Sequence, residues 1–313
     1  KKKIPKKINF NLINNVEKKI GFKLITDQNN AIIEINNDMS SNERMFRLLQ
    51  GDVGSGKTIV SLISAQNVLF NNYQVAFMAP TEILARQHYN LFKKVFGSLS
   101  NVTLLTGKTE YKKRKEILQK LEKNEISMIF GTHSLFQKKI KFQKLGLIIV
   151  DEQHKFGVNQ RKKLSEKGDS NCDVLVMSAT PIPRTMMMTL YGDMDISLIK
   201  SKPKNRQPIK TYSKNETKIN EVINFIKGEI SKENQVFWVC PLINESKKID
   251  HQSAVKKYQT LSKIFKDRVD IIHGAMTKDQ KDLVLKKFSE KKIDILVSTT
   301  VIEVGIDFPN ANF

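Results

Sequence analysis

Residues Gly51 to Thr58 read GDVGSGKT and match GxxxxGK[ST], the pattern of a loop that binds phosphate groups. Glycines let backbone N–H groups turn inward around phosphate oxygens, and a helix that begins at the loop adds partial positive charge. Lys57 is predicted to reach the β- and γ-phosphates of ATP, and Thr58 to offer its hydroxyl to Mg²⁺. The predicted cofactor-binding loop comprises Gly51, Asp52, Val53, Gly54, Ser55, Gly56, Lys57 and Thr58.

Two carboxylates, Asp151 and Glu152, directly follow the apolar run Leu147 to Val150. Adjacent charges at the end of a buried strand are costly unless a cation compensates them, and Mg²⁺ would do so. Asp151 is predicted to hold the metal through water, and Glu152 to orient and deprotonate the water that attacks the γ-phosphate. Taken alone, the pair also fits an ordinary loop or helix cap, but the phosphate-binding loop favours the catalytic interpretation.

A third pattern, FxLxTxQ, lies upstream of the loop and comprises Phe22, Leu24, Thr26 and Gln28. A Gln side chain carries a donor and an acceptor, so it can bond an adenine edge at two places. By the pattern alone, a helix cap at Thr26 and an exposed amide at Gln28 are the simpler interpretation.

Residues 45 to 200, which include the loop and the carboxylate pair, alternate short apolar runs with longer amphipathic stretches. This alternation predicts βα units wound into a parallel sheet, and hence an α/β fold. The predicted strands are Phe46 to Gln50, Val75 to Ala79, Val102 to Leu105, Ser127 to Gly131, Leu147 to Val150 and Val174 to Ser178. The predicted helices include Lys57 to Phe70, Ile83 to Val95, Lys112 to Lys123 and Gln160 to Lys167.

A basic segment with two prolines, Ser201 to Pro208, interrupts the alternation and predicts a linker over residues 201 to 210. A second series follows. Its predicted strands are Val236 to Val239, Val269 to Ile272 and Ile293 to Val297, and its helices lie near Ser253 to Phe265 and Lys278 to Phe288. The sequence thus predicts a first lobe at 1 to 200 that binds ATP, and a second lobe at 211 to 313 that is truncated at its C-terminal end.

The composition favours a polyanionic partner, since the formal net charge is +21 and the pI is near 9.7. Nucleic acid is the partner expected, although an AT-rich coding sequence would also enrich lysine. The two cysteines, Cys172 and Cys240, have no spacing that suggests a disulfide or a zinc site. Because no apolar run approaches the roughly 20 residues needed to cross a bilayer, we expect a cytoplasmic protein with no membrane contact.

Six motifs together resemble the ordered motifs of superfamily 2 helicases. They are GDVGSGKT, APTEILARQH (Ala79 to His88), GTHSLFQ (Gly131 to Gln137), IVDEQHKFGVNQR (Ile149 to Arg161), MSATPIPRT (Met177 to Thr185) and TTVIEVGIDFPNA (Thr299 to Ala311). DEQH followed by FGV, together with WVCPLI (Trp238 to Ile243) and HGAM (His273 to Met276), is most similar to the RecG family. The Mfd translocases have similar motifs but typically carry DEEH, so Gln153 argues against them.

The resemblance implies two RecA-like lobes, the second incomplete, and assigns roles to residues that match the motifs. Those implied to bind adenine are Thr26 and Gln28. Those implied to act in catalysis are Lys57, Asp151, Glu152, Gln153 and His154, with Thr58 and Asp151 at the metal. Those implied to couple the γ-phosphate to lobe movement are Ser178, Ala179 and Thr180, with Gln153 and His154. Those implied to contact DNA are Thr81, Glu82, Arg86, Thr132, His133, Thr299 and Thr300, and those implied to reach the nucleotide from the second lobe are Glu303, Gly305 and Asp307.

The function implied is that of an ATP-dependent DNA helicase or translocase, a monomeric motor that reverses forks and migrates Holliday junctions in recombination and repair. The family's wedge domain and its arginine-finger motif have no counterpart in these 313 residues. Because an arginine finger contributes roughly 10³ to 10⁵ to phosphoryl-transfer rates, we expect weak ATP hydrolysis from this chain alone.

Three other interpretations stay open at this point. The first is an Mfd-like or RNA-directed helicase, which substrate preference would distinguish. The second is a small-molecule phosphotransferase or signalling NTPase, which has no use for a second βα series. The third is a non-catalytic nucleotide-binding module, against which Glu152 argues because a binder needs no base to activate water.

Overall fold

The computed structural model describes residues 2–97, 101–137, 140–152, 172–180, 194–201, 209–240, 247–299, 308 and 310–313. The chain divides into two compact units, Lys1–Gln207 and Pro208–Phe313. Most of the predicted linker, residues 202–208, lies outside the described residues. None of the helices in the described ranges is both long enough and apolar enough to cross a membrane.

The first unit is built on a sheet of seven described strands, which pair in parallel in the order β3-β4-β2-β5-β6-β1-β7. The strands are β1 (Phe46–Gly51), β2 (Gln74–Met78), β3 (Val102–Leu105), β4 (Met128–Gly131), β5 (Leu145–Asp151), β6 (Asp173–Ser178) and β7 (Asp195–Ile199). Every residue of β2, β4, β5 and β6 is buried. Such strands need apolar side chains on both faces, which explains their runs of Val, Ile, Leu and Met.

Helices cover both faces of this sheet. They are α1 (Leu12–Ile20), α2 (Thr26–Ser40), α3 (Lys57–Phe70), α4 (Glu82–Phe96) and α5 (Tyr111–Glu122). Alternate residues of β2 enter different core clusters, since Phe77 packs with residues of α1 to α4 and Met78 with residues of α5. The sheet is therefore a middle layer with one core on each side.

The second unit has a smaller parallel sheet in the order β8-β10-β9. Its elements are α6 (Ile219–Ser231), β8 (Val236–Val239), α7 (Lys247–Phe265), β9 (Val269–Ile272), α8 (Lys278–Ser289) and β10 (Ile295–Ser298). The end of the chain runs beside β8, because the N–H of Phe237 donates to the carbonyl oxygen of Phe313 over 2.7 Å. The predicted α/β class with two parallel-sheet lobes, the second with few strands, is confirmed.

Each of the nine predicted strands is present, with ends shifted by at most two residues. Strand β7 and helices α1, α2 and α6 were not predicted. Strand β7 (DISLI) has only five residues, two of them polar, and lies at an edge of the sheet, and α2 carries eight Asn, Asp, Gln or Glu residues among its fifteen. The predicted helix Gln160 to Lys167 lies outside the described residues.

Candidate active site

Three neighbouring strands end at the same edge of the sheet and carry the candidate residues. Register pairs Asp151 of β5 with Met177 of β6, and Ser178 of β6 with Gln50 of β1. Because the strands are parallel, their carboxyl ends lie side by side. The phosphate-binding loop, the carboxylate pair and the Ser178 turn are thus brought together by topology, although about 100 residues separate the first two along the chain.

The loop needs its glycines for space and for backbone conformation. A Cβ on Gly51 would lie 2.6 Å from Ser55 Oγ and 2.9 Å from the carbonyl oxygen of Ile199. Gly56 caps the N-terminus of α3 with φ at +90°, in the left-handed region that favours glycine. A Cβ on Gly56 would also overlap the amide nitrogen of Gln28. The turn therefore tolerates no side chain at either position.

Lys57 lies at the start of α3 with its side chain buried inside the loop. Its Nζ donates to the carbonyl oxygens of Gly51 over 2.6 Å and Asp52 over 3.0 Å. Burial lowers the pKa of Lys57, and the charges of Glu152, Asp151 and Asp52 partly oppose that shift. The ammonium thus lies within electrostatic reach of both carboxylates while it bonds only weakly basic carbonyl groups, from which a phosphate oxygen would compete for it.

Asp151 is the last residue of β5, and Glu152 turns away from the strand. Glu152 is only 3% exposed and has φ at +51°, a conformation that costs a residue with a side chain of order 1 to 3 kcal/mol. One of its carboxylate oxygens accepts from the N–H of Ala179 over 3.4 Å. The strained residue is thereby held towards the end of β6.

The turn at Ser178, Ala179 and Thr180 connects the carboxylates to the phosphate-binding loop. The hydroxyl groups of Ser178 and Thr180 lie 3.0 Å apart, and the N–H of Thr180 donates to Ser178 Oγ over 3.2 Å. The side-chain amide of Gln50, which directly precedes the loop, donates to the carbonyl oxygen of Thr180 over 3.2 Å. A displacement of this turn would therefore disturb both the carboxylate pair and the phosphate-binding loop.

Gln28 is buried and bonds the loop. Its Nε2 donates to the carbonyl oxygen of Ser55 over 2.8 Å, and its Oε1 accepts from the N–H of Ile25 over 3.0 Å. These bonds use one of its two N–H donors and one of its acceptor positions. Helix α2 begins at Thr26, and its N-cap is Ile25. The simpler interpretation of the pattern, a helix cap at Thr26 and an exposed amide at Gln28, is therefore wrong.

A cavity of about 980 Å³ opens beside Gln28 and is large enough for a nucleotide base with its sugar. Its lining includes Phe22, Thr26, Gln28, Gly54, Gly56 and Thr58. The hydroxyl oxygen of Ser55 is buried and has no hydrogen-bond partner among the residues that the structure describes. A cavity next to an orphaned hydroxyl and a glycine turn fits a phosphorylated ligand.

Three of the residues predicted to contact DNA, Thr81, Glu82 and Thr132, have structural partners of their own. Thr81 caps α4, its Oγ1 accepting from the N–H of Leu84 over 3.3 Å, and Glu82 accepts from the N–H of Gly107 over 3.0 Å. Thr132 is buried, with its hydroxyl 3.4 Å from that of Ser134. Arg86 is exposed on α4. Their contact with DNA stays a prediction.

Several predicted site residues cannot be placed. Thr299 is buried and directly follows β10, but the other second-lobe residues fall outside the described part of the chain. The predicted site residues outside it are Gln153, His154, Thr300, Glu303, Gly305 and Asp307, and the side chain of His133 is likewise not described.

One residue of the site was given no role from the sequence. His88 on α4 is 7% exposed, and its Nε2 lies 2.8 Å from Asp151 Oδ2. It shares the buried side of the helix with Leu84 and Phe92, four residues away in each direction. A lone His on an apolar helix face needs a polar partner, and that was the signal available.

Comparison with known proteins gives two family matches. Residues 25–189 match the DEAD/DEAH box helicase family, and residues 217–313 match the helicase conserved C-terminal domain. The chain is 47% identical over 294 residues to the ATP-dependent DNA helicase RecG of Staphylococcus epidermidis, covering 93% of this chain and 43% of that protein. It is 45% identical over 312 residues to RecG of Thermotoga maritima, covering 99% of this chain and 40% of that protein.

Solved structures agree. The structure of RecG bound to a three-way DNA junction is 42% identical with a TM-score of 0.83, and it covers 99% of this chain and 41% of that one. The structure of Saccharomyces cerevisiae Dbp5 bound to RNA and ADP BeF3 is 18% identical with a TM-score of 0.69, and covers 97% of this chain and 77% of that one. The second likeness shows the fold alone.

The fold and the matched families define a RecA-like motor of the DEAD/DEAH box helicase class. Within that class the chain belongs to the RecG family, which confirms the resemblance found in the motifs. Membership implies the use of a nucleotide. The chain spans about two fifths of the length of these curated relatives, at 43% and 40%.

Proposed function

We propose that this chain is the motor of an ATP-dependent DNA helicase that acts on branched DNA, reversing forks and migrating Holliday junctions during recombination and repair. The observation that carries the proposal is the position of Lys57, buried in the glycine loop and within electrostatic reach of Asp151 and Glu152. The names of the relatives, and a relative solved with a three-way DNA junction, supply the substrate class.

ATP would bind with its base in the cavity beside Gln28 and its phosphates in the loop. The N–H groups of the loop and the start of α3 would surround the phosphates, and the ammonium of Lys57 would move from the carbonyl oxygens to the phosphate oxygens. Thr58 and Asp151 would hold Mg²⁺, which would neutralise phosphate charge. A magnesium ion needs few protein ligands when phosphates complete its shell, and no cluster of three acidic, His or Cys ligands occurs among the described side chains.

Glu152 would orient the attacking water and accept its proton. Because Glu152 accepts a hydrogen bond from the N–H of Ala179, protonation of Glu152 would weaken this bond and alter the turn at Ser178 and Thr180. Movement of that turn is how the state of the nucleotide would reach the second lobe, with the unplaced Gln153 and His154 as further members. DNA would lie against the start of α4, around Thr81, Glu82 and Arg86, with Thr132 beside them.

The test uses the natural polypeptide that carries this chain. We expect ATP hydrolysis to be stimulated more by forked and three-way DNA than by plain duplex, and three-way junctions to be unwound. Glu152→Gln should bind ATP within about threefold of the wild-type affinity and lose turnover, since only the proton acceptor is removed. Equal stimulation by plain duplex would favour an Mfd-like translocase, and stimulation by RNA alone would refute the DNA assignment.

A further inference from the structure

His88 makes a buried contact with the carboxylate that we propose as a metal holder. Its Nε2 lies 2.8 Å from Asp151 Oδ2, and its ring packs on Phe77 with centroids 4.7 Å apart and planes at 43°. A carboxylate in its ionised form only accepts, so Nε2 carries the hydrogen. One oxygen of Asp151 is thereby occupied, which sets the direction in which the other oxygen points.

Packing fixes the ring as well as the hydrogen bond. Phe77 itself stacks on Phe130 with centroids 5.2 Å apart, and both phenylalanines are fully buried. Side chains in such a core occupy single rotamers, because rotation would open voids. The imidazole therefore holds Asp151 in a defined orientation, whereas a water molecule in its place would let the carboxylate rotate.

The helix that carries His88 also carries two of the residues predicted to contact DNA, Glu82 and Arg86. Helix α4 begins directly after Thr81. Its first residue, Glu82, accepts a hydrogen bond from the N–H of Gly107 over 3.0 Å. His88 follows Glu82 by six positions, which corresponds to a rise of about 9 Å along the helix axis. Arg86, between them, is on the exposed side. A shift of α4 would thus move the imidazole together with the exposed residues of its first two turns.

We propose that His88 is a positioning residue that ties the orientation of Asp151 to the position of α4. In this proposal His88 contacts neither ATP nor DNA, and it acts through the carboxylate of Asp151. When the start of α4 binds DNA and shifts, His88 moves with the helix and reorients Asp151, which changes how Asp151 holds the metal. The inference rests on the proposed function, in which Asp151 holds Mg²⁺ and α4 faces DNA.

Three substitutions separate this role from simple packing. His88→Gln places an amide N–H near the position of Nε2, so it can still reach Asp151. His88→Asn is polar but too short to reach. His88→Leu fills similar space on the apolar face and cannot donate. A positioning role predicts that Gln resembles the wild type and that Asn resembles Leu, whereas a packing role predicts that Leu is tolerated best.

The decisive measurement is binding, with the full natural polypeptide and a fluorescent, non-hydrolysable ATP analogue titrated with Mg²⁺ and with EDTA. In wild type and His88→Gln, we expect Mg²⁺ to tighten binding by the same factor. In His88→Asn and His88→Leu, the Mg²⁺ concentration for half-maximal tightening should rise about 10-fold, as for other residues that orient a metal ligand. Affinity in EDTA should be equal in all four proteins within about twofold, because His88 does not touch the nucleotide.

The second readout is the ratio of DNA-stimulated to basal hydrolysis. We expect His88→Asn and His88→Leu to lose most of this stimulation and His88→Gln to keep it. An unchanged Mg²⁺ requirement in folded His88→Asn would overturn the proposal, and so would a His88→Gln protein as impaired as His88→Leu. If the wild type hydrolyses ATP without any response to DNA, the proposed function fails, while the Mg²⁺ titration still decides whether His88 positions Asp151.

Discussion

Strand β6 has a lysine and acid cluster near each end, and the two clusters are built differently. At its start, Asp173 accepts from Lys3 Nζ over 2.6 Å and from Lys6 Nζ over 2.8 Å, and these side chains are fully buried. Near its end, Lys57 donates to backbone carbonyl oxygens while Asp151 and Glu152 act on it through space. The first cluster pairs its carboxylate directly with lysine side chains, whereas the second holds its lysine on carbonyl oxygens, from which a phosphate oxygen would compete for it.

Buried charges therefore have two different roles in this sheet. Asp173 also accepts from the N–H of Met45, so both of its oxygens are occupied by donors of the chain. An ion pair of this kind stabilises the docking of the N-terminal segment and has no capacity for chemistry. The loop cluster has the opposite character. It combines a desolvated ammonium, a strained Glu152 and a buried Ser55 hydroxyl with no hydrogen-bond partner in the described part of the chain, and such features are typical of a functional site.

The largest effect on stability should come from Asp173→Ala. Removal of the carboxylate leaves Lys3 and Lys6 buried without an opposing charge, which typically costs about 3 to 5 kcal/mol. Urea unfolding followed by circular dichroism measures the loss. Asp173→Asn keeps the shape of the side chain and should lower the free energy of unfolding nearly as much. If this variant unfolds at the same urea concentration as the wild type, the charge of Asp173 does not hold the N-terminal segment in place. ATP affinity of the folded variants should stay within about twofold, because the clusters are far apart.

Lys57→Met should have the reverse profile. Hydrolysis should fall about 10² to 10³-fold, the loss typical when one group that stabilises the transition state is removed. The free energy of unfolding should stay within about 1 kcal/mol of the wild type or rise, since burial that lowers the pKa of Lys57 marks a desolvation cost that methionine avoids. Steady-state ATPase rates and urea unfolding of the same preparation measure both, and a variant that is strongly destabilised would place Lys57 with Asp173 as a structural residue.

Gly56→Ala tests the loop without changing charge. The residue has φ at +90° and an added Cβ would overlap Gln28, so we expect a loss of about 1 to 3 kcal/mol together with weaker ATP binding. Gly228→Ala in α6 is the matched control. Its Cβ would meet nothing within 4 Å, so it should stabilise by about 0.5 to 1 kcal/mol. Thermal unfolding of the two variants gives the comparison, and equal effects would contradict the crowding at Gly56.

The smallest effect should come from an exposed pair, Glu116 and Lys120 on α5, whose charged atoms lie 2.6 Å apart. Both side chains are about half exposed, at 59% and 46%. Lys120→Ala should leave the urea midpoint of unfolding almost unchanged, because water and salt screen the charges of an exposed helical pair. Urea unfolding measures it. A loss as large as that of Asp173→Ala would mean that burial is not what distinguishes the clusters.

Much of the fold followed from local pattern. Strands β1 to β6 and β8 to β10 are short and mostly apolar, and the helix after the glycine loop begins and ends as predicted, at Lys57 and Phe70. Strand β7 and helix α2 were missed because tertiary packing, and not local hydrophobicity, stabilises them. Residues of α2 fill a core built mostly by other elements, including Ile63 and Phe92.

The class of site could be predicted from the sequence, because the order and spacing of glycines, lysine and paired carboxylates restrict the chemistry. The partners of these groups could not be predicted, since they depend on how the chain folds. Gln28 with Ser55, His88 with Asp151, and Lys3 with Asp173 are joined across 27, 63 and 170 positions. Such pairs depend on how strands are ordered in the sheet, and local propensity carries no information about that order.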